Sequence, residues 1–231
     1  DAIEPIRMID NVFFCDYGWE MDLDDGSSNY IIEGNVCLKG GIKNREGIMR
    51  NVCNNFMLKN TFHPHVWFSD SRDQFERNVV FHAYEDIRLN GWGNSFDHNI
   101  LVSKDKTIDV LREKSGMDQN SETGNINFDI SEQGHFYVVE DDVLKRHGIS
   151  QPDVDDCGTR IEKLVEKETA PQELIREILL SIGMSEKPDT GNNTDIYEDG
   201  QMSLKKLTGL NEMSAYGMYA EEGVVVIDLI Q

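Results

Sequence analysis

Four carboxylates, Glu20, Asp22, Asp24 and Asp25, crowd the stretch GWEMDLDDGSSNY (18–30). Lys43, Arg45 and Glu46 follow in GGIKNREG, and His63, His65, Trp67 and Asp70 in FHPHVWFSD. Two carboxyl groups flanking a glycosidic bond can hydrolyse it, with retention at roughly 5 to 5.5 Å separation and inversion at about 6.5 to 9.5 Å. Crowded like charges raise the pKa of at least one member, which keeps a general acid protonated near neutrality. Asp24, Asp25 and Glu46 are therefore the leading acid, base or nucleophile candidates, with Asp22 and Asp70 behind them. Lys43, Arg45, His63, His65, Trp67 and Arg88 offer hydrogen bonds to hydroxyls and a flat face for a sugar ring.

The same residues permit a different reaction. Asp22, Asp24 and Asp25 have the hard oxygen ligands that Ca²⁺ takes, while Lys43 or Arg45 could abstract the proton beside a uronate carboxylate, as in a polysaccharide lyase. A third reading is a non-catalytic glycan-binding scaffold, in which DLDDG merely initiates a turn. His63 and His65 flank Pro64 and face the same way on an extended strand, but two ligands from one strand do not make a metal site. Hydrolysis is the first reading and needs no cofactor.

These residues must be brought together across some fifty positions, and a repeat supplies the means. Asparagine followed by mostly apolar residues recurs as NVFF (Asn11), NVCL (Asn35), NFML (Asn55), NVVF (Asn78) and NILV (Asn99), at spacings of 24, 20, 23 and 21. Three positions ahead of each asparagine stands an apolar residue: Met8, Ile32, Val52, Phe75 and Phe96. A unit of this length, with short apolar runs broken by Gly, Asn and Asp, predicts one coil of a parallel β-helix rather than helices, whose apolar residues recur at three and four. Coils stack at about 4.8 Å, so equivalent residues touch. Asparagine tolerates a left-handed corner and can form a hydrogen-bonded ladder up the axis, so these five asparagines are given a structural role.

Counting back from the asparagines puts Asp22, Lys43, His65, Trp67 and Arg88 near one strip, with Asp25, Glu46 and Asp70 beside it. Asp25 and Glu46 then lie one coil apart, and Asp24 or Asp25 two coils from Asp70. The last clear coil ends near Val102. Residues 103–129 read as polar and turn-rich, GHFYVVEDDVLKRHGI as one further strand and a closing segment. TAPQELIREILLSIGM reads as a short helix with Leu174, Ile178, Leu179 and Ile182 on one face, and SEKPDTGNNTDIYEDG as a linker.

Bulk properties narrow the partners. The chain has 231 residues and a formal charge of −21, which repels phosphate backbones and anionic membranes. No apolar run approaches a membrane span, and the opening DAIEPIRMID has neither a signal-peptide core nor an initiator Met, so it reads as the middle of a longer chain. Cys15, Cys37, Cys53 and Cys157 lack a CxxC or a dense framework and read as buried thiols.

The segments DLDDGSSNY, NVCLKGGIKNREG, NNFMLKNTFHPHVWF and GHFYVVEDD together resemble bacterial right-handed parallel β-helix proteins of the pectate-lyase-like superfamily. They are most similar to its β-helix glycoside hydrolases, a grouping that includes α-L-fucosidase and xylanase activities. The resemblance covers roughly residues 1 to 160 and is specific over 18 to 68. It implies an all-β right-handed parallel β-helix, polysaccharide or oligosaccharide cleavage, and export to a secreted, periplasmic or cell-surface location. The tail KKLTGLNEMSAYGMYAEEGVVVIDLI resembles the opening third of a PDZ-like module. The helix that walls the peptide groove of such a module is missing, so no peptide binding is expected. The expected organisation is a β-helix over 1–160, a helix and linker over 161–195 and the PDZ-like segment over 196–231.

Overall fold

The computed structural model describes residues 3–15, 18–65, 67–86, 89, 91–102, 107–130, 136–138, 142–154, 157–158, 160–161, 163–164, 170–181, 196–198, 202–208 and 222–229. The chain divides into two compact units, Asp1–Gly183 and Met184–Gln231. The first is a parallel β-solenoid with three sheets. Sheet one stacks β1 (Ile6–Ile9), β4 (Tyr30–Glu33), β7 (Arg50–Cys53), β10 (Gln74–Glu76) and β12 (Ser95–Asp97). Sheet two stacks β2 (Val12–Phe13), β5 (Val36–Cys37), β8 (Phe56–Met57), β11 (Val79–Val80), β13 (Ile100–Leu101) and β14 (Glu122–Thr123). Sheet three holds β3 (Trp19–Leu23), β6 (Gly41–Asn44) and β9 (Phe62–Pro64).

The register matches the spacing of the repeat. Met8 pairs with Ile32, Ile32 with Val52, Val52 with Phe75 and Phe75 with Phe96. These side chains point into the lumen, where they join Met21, Leu23, Ile42, Met57, Phe62, Trp67 and Val80 in one apolar cluster. Phe62 stacks on Phe75 at 4.2 Å between centroids, and each fully buried aromatic of this kind contributes about 2 to 3 kcal/mol of transfer free energy.

Sheet two is apolar on both faces. Cys37, Met57, Val80 and Leu101 line the lumen, while Val36, Phe56, Val79 and Ile100 belong to a second cluster outside it. That outer face is covered by a hairpin of β15 (Phe128–Ile130) and β16 (Phe136–Val138), by α2 (Asp142–His147) and by α3 (Gln172–Ser181). The unbroken apolar runs after each asparagine follow from this, because a strand buried on both faces has no polar side to alternate with. α3 buries Leu174, Ile175 and Ile178 in the outer cluster and so belongs to the first unit.

The asparagines form the expected ladder. Asn35 donates its backbone N–H and Nδ2 to Oδ1 of Asn55 at 3.0 and 2.9 Å, Asn55 does the same to Asn78, and Asn78 to Asn99. The left-handed corner, however, falls one residue earlier than the sequence suggests. Asp10, Gly34, Asn54, Arg77 and His98, each directly ahead of a ladder asparagine, have φ of 53°, 68°, 56°, 54° and 56°. The asparagine itself must turn its amide inward to its neighbours, so its predecessor makes the bend.

Residues 103–129 contain more order than their polarity suggests. α1 (Asp109–Ser115) buries Leu111, and Ile108 ahead of it is buried too. Both join the lumen cluster and plug its end, an apolar pair easily lost among charges. All four cysteines are free; Cys37 and Cys53 are buried, Cys15 and Cys157 half-buried. The second unit is an antiparallel sheet of β17 (Ile196–Glu198), β18 (Met202–Thr208) and β19 (Glu222–Leu229). β17 falls within the stretch read as a linker, and the rest of that stretch lies outside the described residues.

Candidate functional site

The outward face of sheet three is charged. In register across it stand Asp22, Lys43 and His63, so each outward side chain meets a different chemistry one coil away. Lys43 Nζ lies 2.7 Å from Asp22 Oδ2 and 5.6 Å from the centre of the Trp19 ring. Trp19 meets the His63 ring edge-on at 4.0 Å and the His65 ring at 6.0 Å. Trp19 sits opposite Gly41, where a Cβ would come within 2.0 Å of the Thr61 carbonyl oxygen. Coils two and three thus approach there more closely than any side chain allows.

His63 is held in one tautomer. Asn60 Nδ2 donates to the Gly18 carbonyl at 2.9 Å, which fixes the amide so that Oδ1 faces His63 Nε2 at 2.8 Å. The proton therefore resides on Nε2 and leaves Nδ1 as an acceptor, 3.8 Å from Glu85. Burial, reinforced by His65 and Lys43, pushes the His63 pKa down to about 4, and burial also lowers that of His65. Two neutral imidazoles thus flank one indole at neutral pH.

At the downstream end of β3 and β6 lies the carboxylate cluster. Asp24, Asp25 and Glu46 each place an oxygen within 4.8 Å of the others. Arg45 holds them: its guanidinium is 2.5 Å from Asp24, 3.6 Å from Asp25 and 3.1 Å from Glu46. The turn beneath is set by Asp25 and Gly26 at φ of 42° and 85°, by Ser27 Oγ donating to the Asp24 carbonyl, and by Gly26 N–H donating to the Glu46 carbonyl at 2.6 Å. Among the described residues Asp24, Asp25 and Glu46 have carboxylate oxygens close enough together to share a cation, but Arg45 already pairs with all three, as Lys43 does with Asp22. The Asp22–Lys43 pair and this cluster are two residues apart along the chain, about 7 Å, so they lie on one face.

Of the residues expected at the site, Trp67 is elsewhere. Trp67 is fully buried in the lumen, where its Nε1 donates to the Asn44 carbonyl at 2.9 Å. It presents no face to a ligand. His63, not His65, stacks over Lys43, an offset of two residues that leaves parity unchanged; Trp67 lies beyond the end of β9 at Pro64, where strand alternation no longer sets the side of the chain. Asp70 is exposed in the turn ahead of Ser71 and, among the described residues, makes no ion pair or hydrogen bond with the cluster. Arg88 lies outside the described residues.

Two participants have no place in the repeat arithmetic. Trp19, half-buried, supplies the aromatic edge that Trp67 was expected to give; three residues before Asp22 it would face the lumen by simple alternation, and only the bulge that follows it brings it to the outer face. Glu20 is the extra residue of a β-bulge between Trp19 and Met21, and the bulge turns its side chain aside. Its carboxyl accepts the Lys39 N–H at 2.9 Å. Burial raises its pKa to about 7, opposed by the Lys39, Gly40 and Cys15 amides and the Cys37 thiol. No known family, curated protein or solved structure matches the chain.

Proposed function

We propose that the outward face of sheet three binds a polysaccharide or oligosaccharide and hydrolyses it. One observation carries the reading: the Asp24, Asp25 and Glu46 oxygens lie within 4.8 Å of one another, on the same strand run that carries Trp19 at its other end. That upper bound falls on the side of retaining glycosidases, roughly 5 to 5.5 Å, rather than the 6.5 to 9.5 Å of inverting ones. Asp24, with the shortest contact to Arg45, is the nucleophile; Glu46 is the acid–base, and Asp25, the most exposed of the three, borders the substrate. Arg45 keeps like charges together, as a planar fork can. Trp19 packs against a sugar face while Lys43, His63 and His65 hydrogen-bond its hydroxyls.

A panel of neutral and acidic polysaccharides, assayed for reducing ends, tests this. Asp24→Asn and Glu46→Gln should each abolish release while leaving the circular dichroism unchanged, and the first-formed product should keep its anomeric configuration by NMR. Turnover unaffected in both variants, or inverted product, overturns the assignment. A second reading, a uronate lyase, draws on the Lys43–Asp22 pair beside the neutral His63. It requires an unsaturated uronate product, detected by its ultraviolet absorbance and lost in Lys43→Met.

A further inference from the structure

A cavity of about 420 Å³ lies at the corner between sheets one and two, and no residue of sheet three lines it. Its floor is the corner column. Asp10, Asn54 and Arg77, at φ of 53°, 56° and 54°, each precede a ladder asparagine whose amide turns inward, and their own side chains line the cavity. Glu33 and Cys53 join them from the ends of β4 and β7, and the segment after α2 forms the facing wall. That wall is tied down. Ser150 N–H donates to Asn54 Oδ1 at 2.7 Å, Gln151 Oε1 accepts the Val138 N–H at 2.7 Å, and Ile149 and Val154 are buried in the outer cluster. The cavity is therefore preformed, as small-molecule sites usually are.

Its charge is lopsided. Asp10, Glu33 and Asp153 all line it, and among the described residues none of the three carboxylates accepts a hydrogen bond or pairs with a cation. Asp10 turns its carboxylate downstream, over Gly34 of the second coil, where a Cβ would lie 2.0 Å from Oδ1. Burial, then Asp153, then Glu33 raise its pKa, so like charges share one space. The Arg77 guanidinium is engaged elsewhere, 3.2 Å from Glu76.

The lining also says what kind of cation fits. Oxygens each about 2.4 Å from one metal ion would lie within 4.8 Å of one another, and among the described residues these three carboxylates do not. Ile9 is the one aliphatic side chain among the described lining residues, so an alkyl chain finds little to pack on. Asn54 Nδ2 and Ser150 Oγ, without partners among the described residues, can bond hydroxyl groups. We propose that this cavity binds an amino sugar, with its ammonium group among Asp10, Glu33 and Asp153 and its hydroxyls on Asn54 and Ser150. The site shares no residue with Asp24, Asp25 and Glu46, and its occupancy does not depend on hydrolysis there.

The test titrates the β-1,4-linked glucosamine dimer into the isotope-labelled intact chain, in mildly acidic buffer that keeps the amines protonated. Salt at about 0.15 M screens the general attraction of a chain of charge −21 for cations. Saturable shifts are expected at Asp10, Glu33, Asn54 and residues 148–153. The double variant Glu33→Gln, Asp153→Asn should bind at least about tenfold more weakly with its far-ultraviolet spectrum unchanged, and Asp24→Asn should bind as the parent does. The N-acetylated dimer keeps the frame and loses the charge; putrescine keeps the charge and loses the frame. Absence of saturable shifts, equal binding of either comparison compound, or full affinity in the double variant would each overturn the proposal. So would loss of the shifts in Asp24→Asn, which places the dimer on sheet three, or tighter binding of Ca²⁺ at the same amides, which gives the cavity to a metal ion.

Discussion

Two columns of side chains climb this solenoid at the same pitch, and they could hardly differ more. At the corner between sheets one and two the residue is asparagine at every level, and each interior member is wholly buried and bonded both above and below. On sheet three the residue changes at each level, from Asp22 to Lys43 to His63, and the carboxylates remain partly exposed. Identical neighbours can each be donor and acceptor to the next, which suits a spine. Unlike neighbours set a carboxylate, an ammonium, an imidazole and an aromatic edge on one face, which suits recognition. Stacking itself is neutral between these uses; what decides is whether the chemistry repeats.

The comparison can be broken most forcefully in the interior. Arg50 and Asp73, both fully buried, form a forked pair with Nε 3.1 Å from each carboxylate oxygen. Asp73→Ala strands the guanidinium and should cost about 4 kcal/mol in chemical denaturation, whereas Arg50→Met with Asp73→Leu should recover most of it. Next comes the ladder: Asn55→Ala removes an acceptor of two bonds and a donor of three others, an expected loss of about 3 kcal/mol against about 1 kcal/mol for Asn11→Ala at the half-buried end. Equal losses at both positions would show that the column does not share its load.

Protons sharpen the contrast at intermediate size. The Glu20 pKa rises from 4.5 to about 7 on folding, so its contribution is complete below the unfolded value and fades as pH rises through 7. His63 falls from 6.5 to about 4, so its contribution is complete above 6.5 and fades as pH drops through 4. Each is worth about 3 kcal/mol at full swing. Stability measured from pH 3 to 9 should lose its alkaline slope in Glu20→Gln and its acid slope in His63→Gln. The smallest effect belongs to the groove: a double-mutant cycle on Asp22 and Lys43 should give less than about 1 kcal/mol, as for other solvent-accessible pairs. A larger coupling would make the groove part of the scaffold after all.

The ladder and the lumen were legible in the sequence because they repeat; spacings of 24, 20, 23 and 21 transfer directly into strand register. Asp24, Asp25 and Glu46 were brought together by the same arithmetic. It failed where a coil departs from the average. The bulge at Glu20 shifts parity by one and brings Trp19 to the outer face, while Trp67 falls past the end of β9, where alternation no longer holds. α1 escaped notice because only Ile108 and Leu111 mark its buried side. The Arg50–Asp73 pair leaves no sequence trace, since a buried ion pair has the composition of a surface one.

The bend ahead of each ladder asparagine constrains a backbone angle and hardly a side chain. Gly34 is the exception, since a Cβ there would lie 2.0 Å from Asp10 Oδ1. Elsewhere the chain uses that latitude to clip on outside pieces: Asn54 Oδ1 receives the Ser150 N–H at 2.7 Å, and the His98 ring lies 6.0 Å from that of His147. The corners therefore act as an evenly graduated rail, with mounting points about 4.8 Å apart, to which a cap can be fastened or exchanged while the spine beneath stays the same.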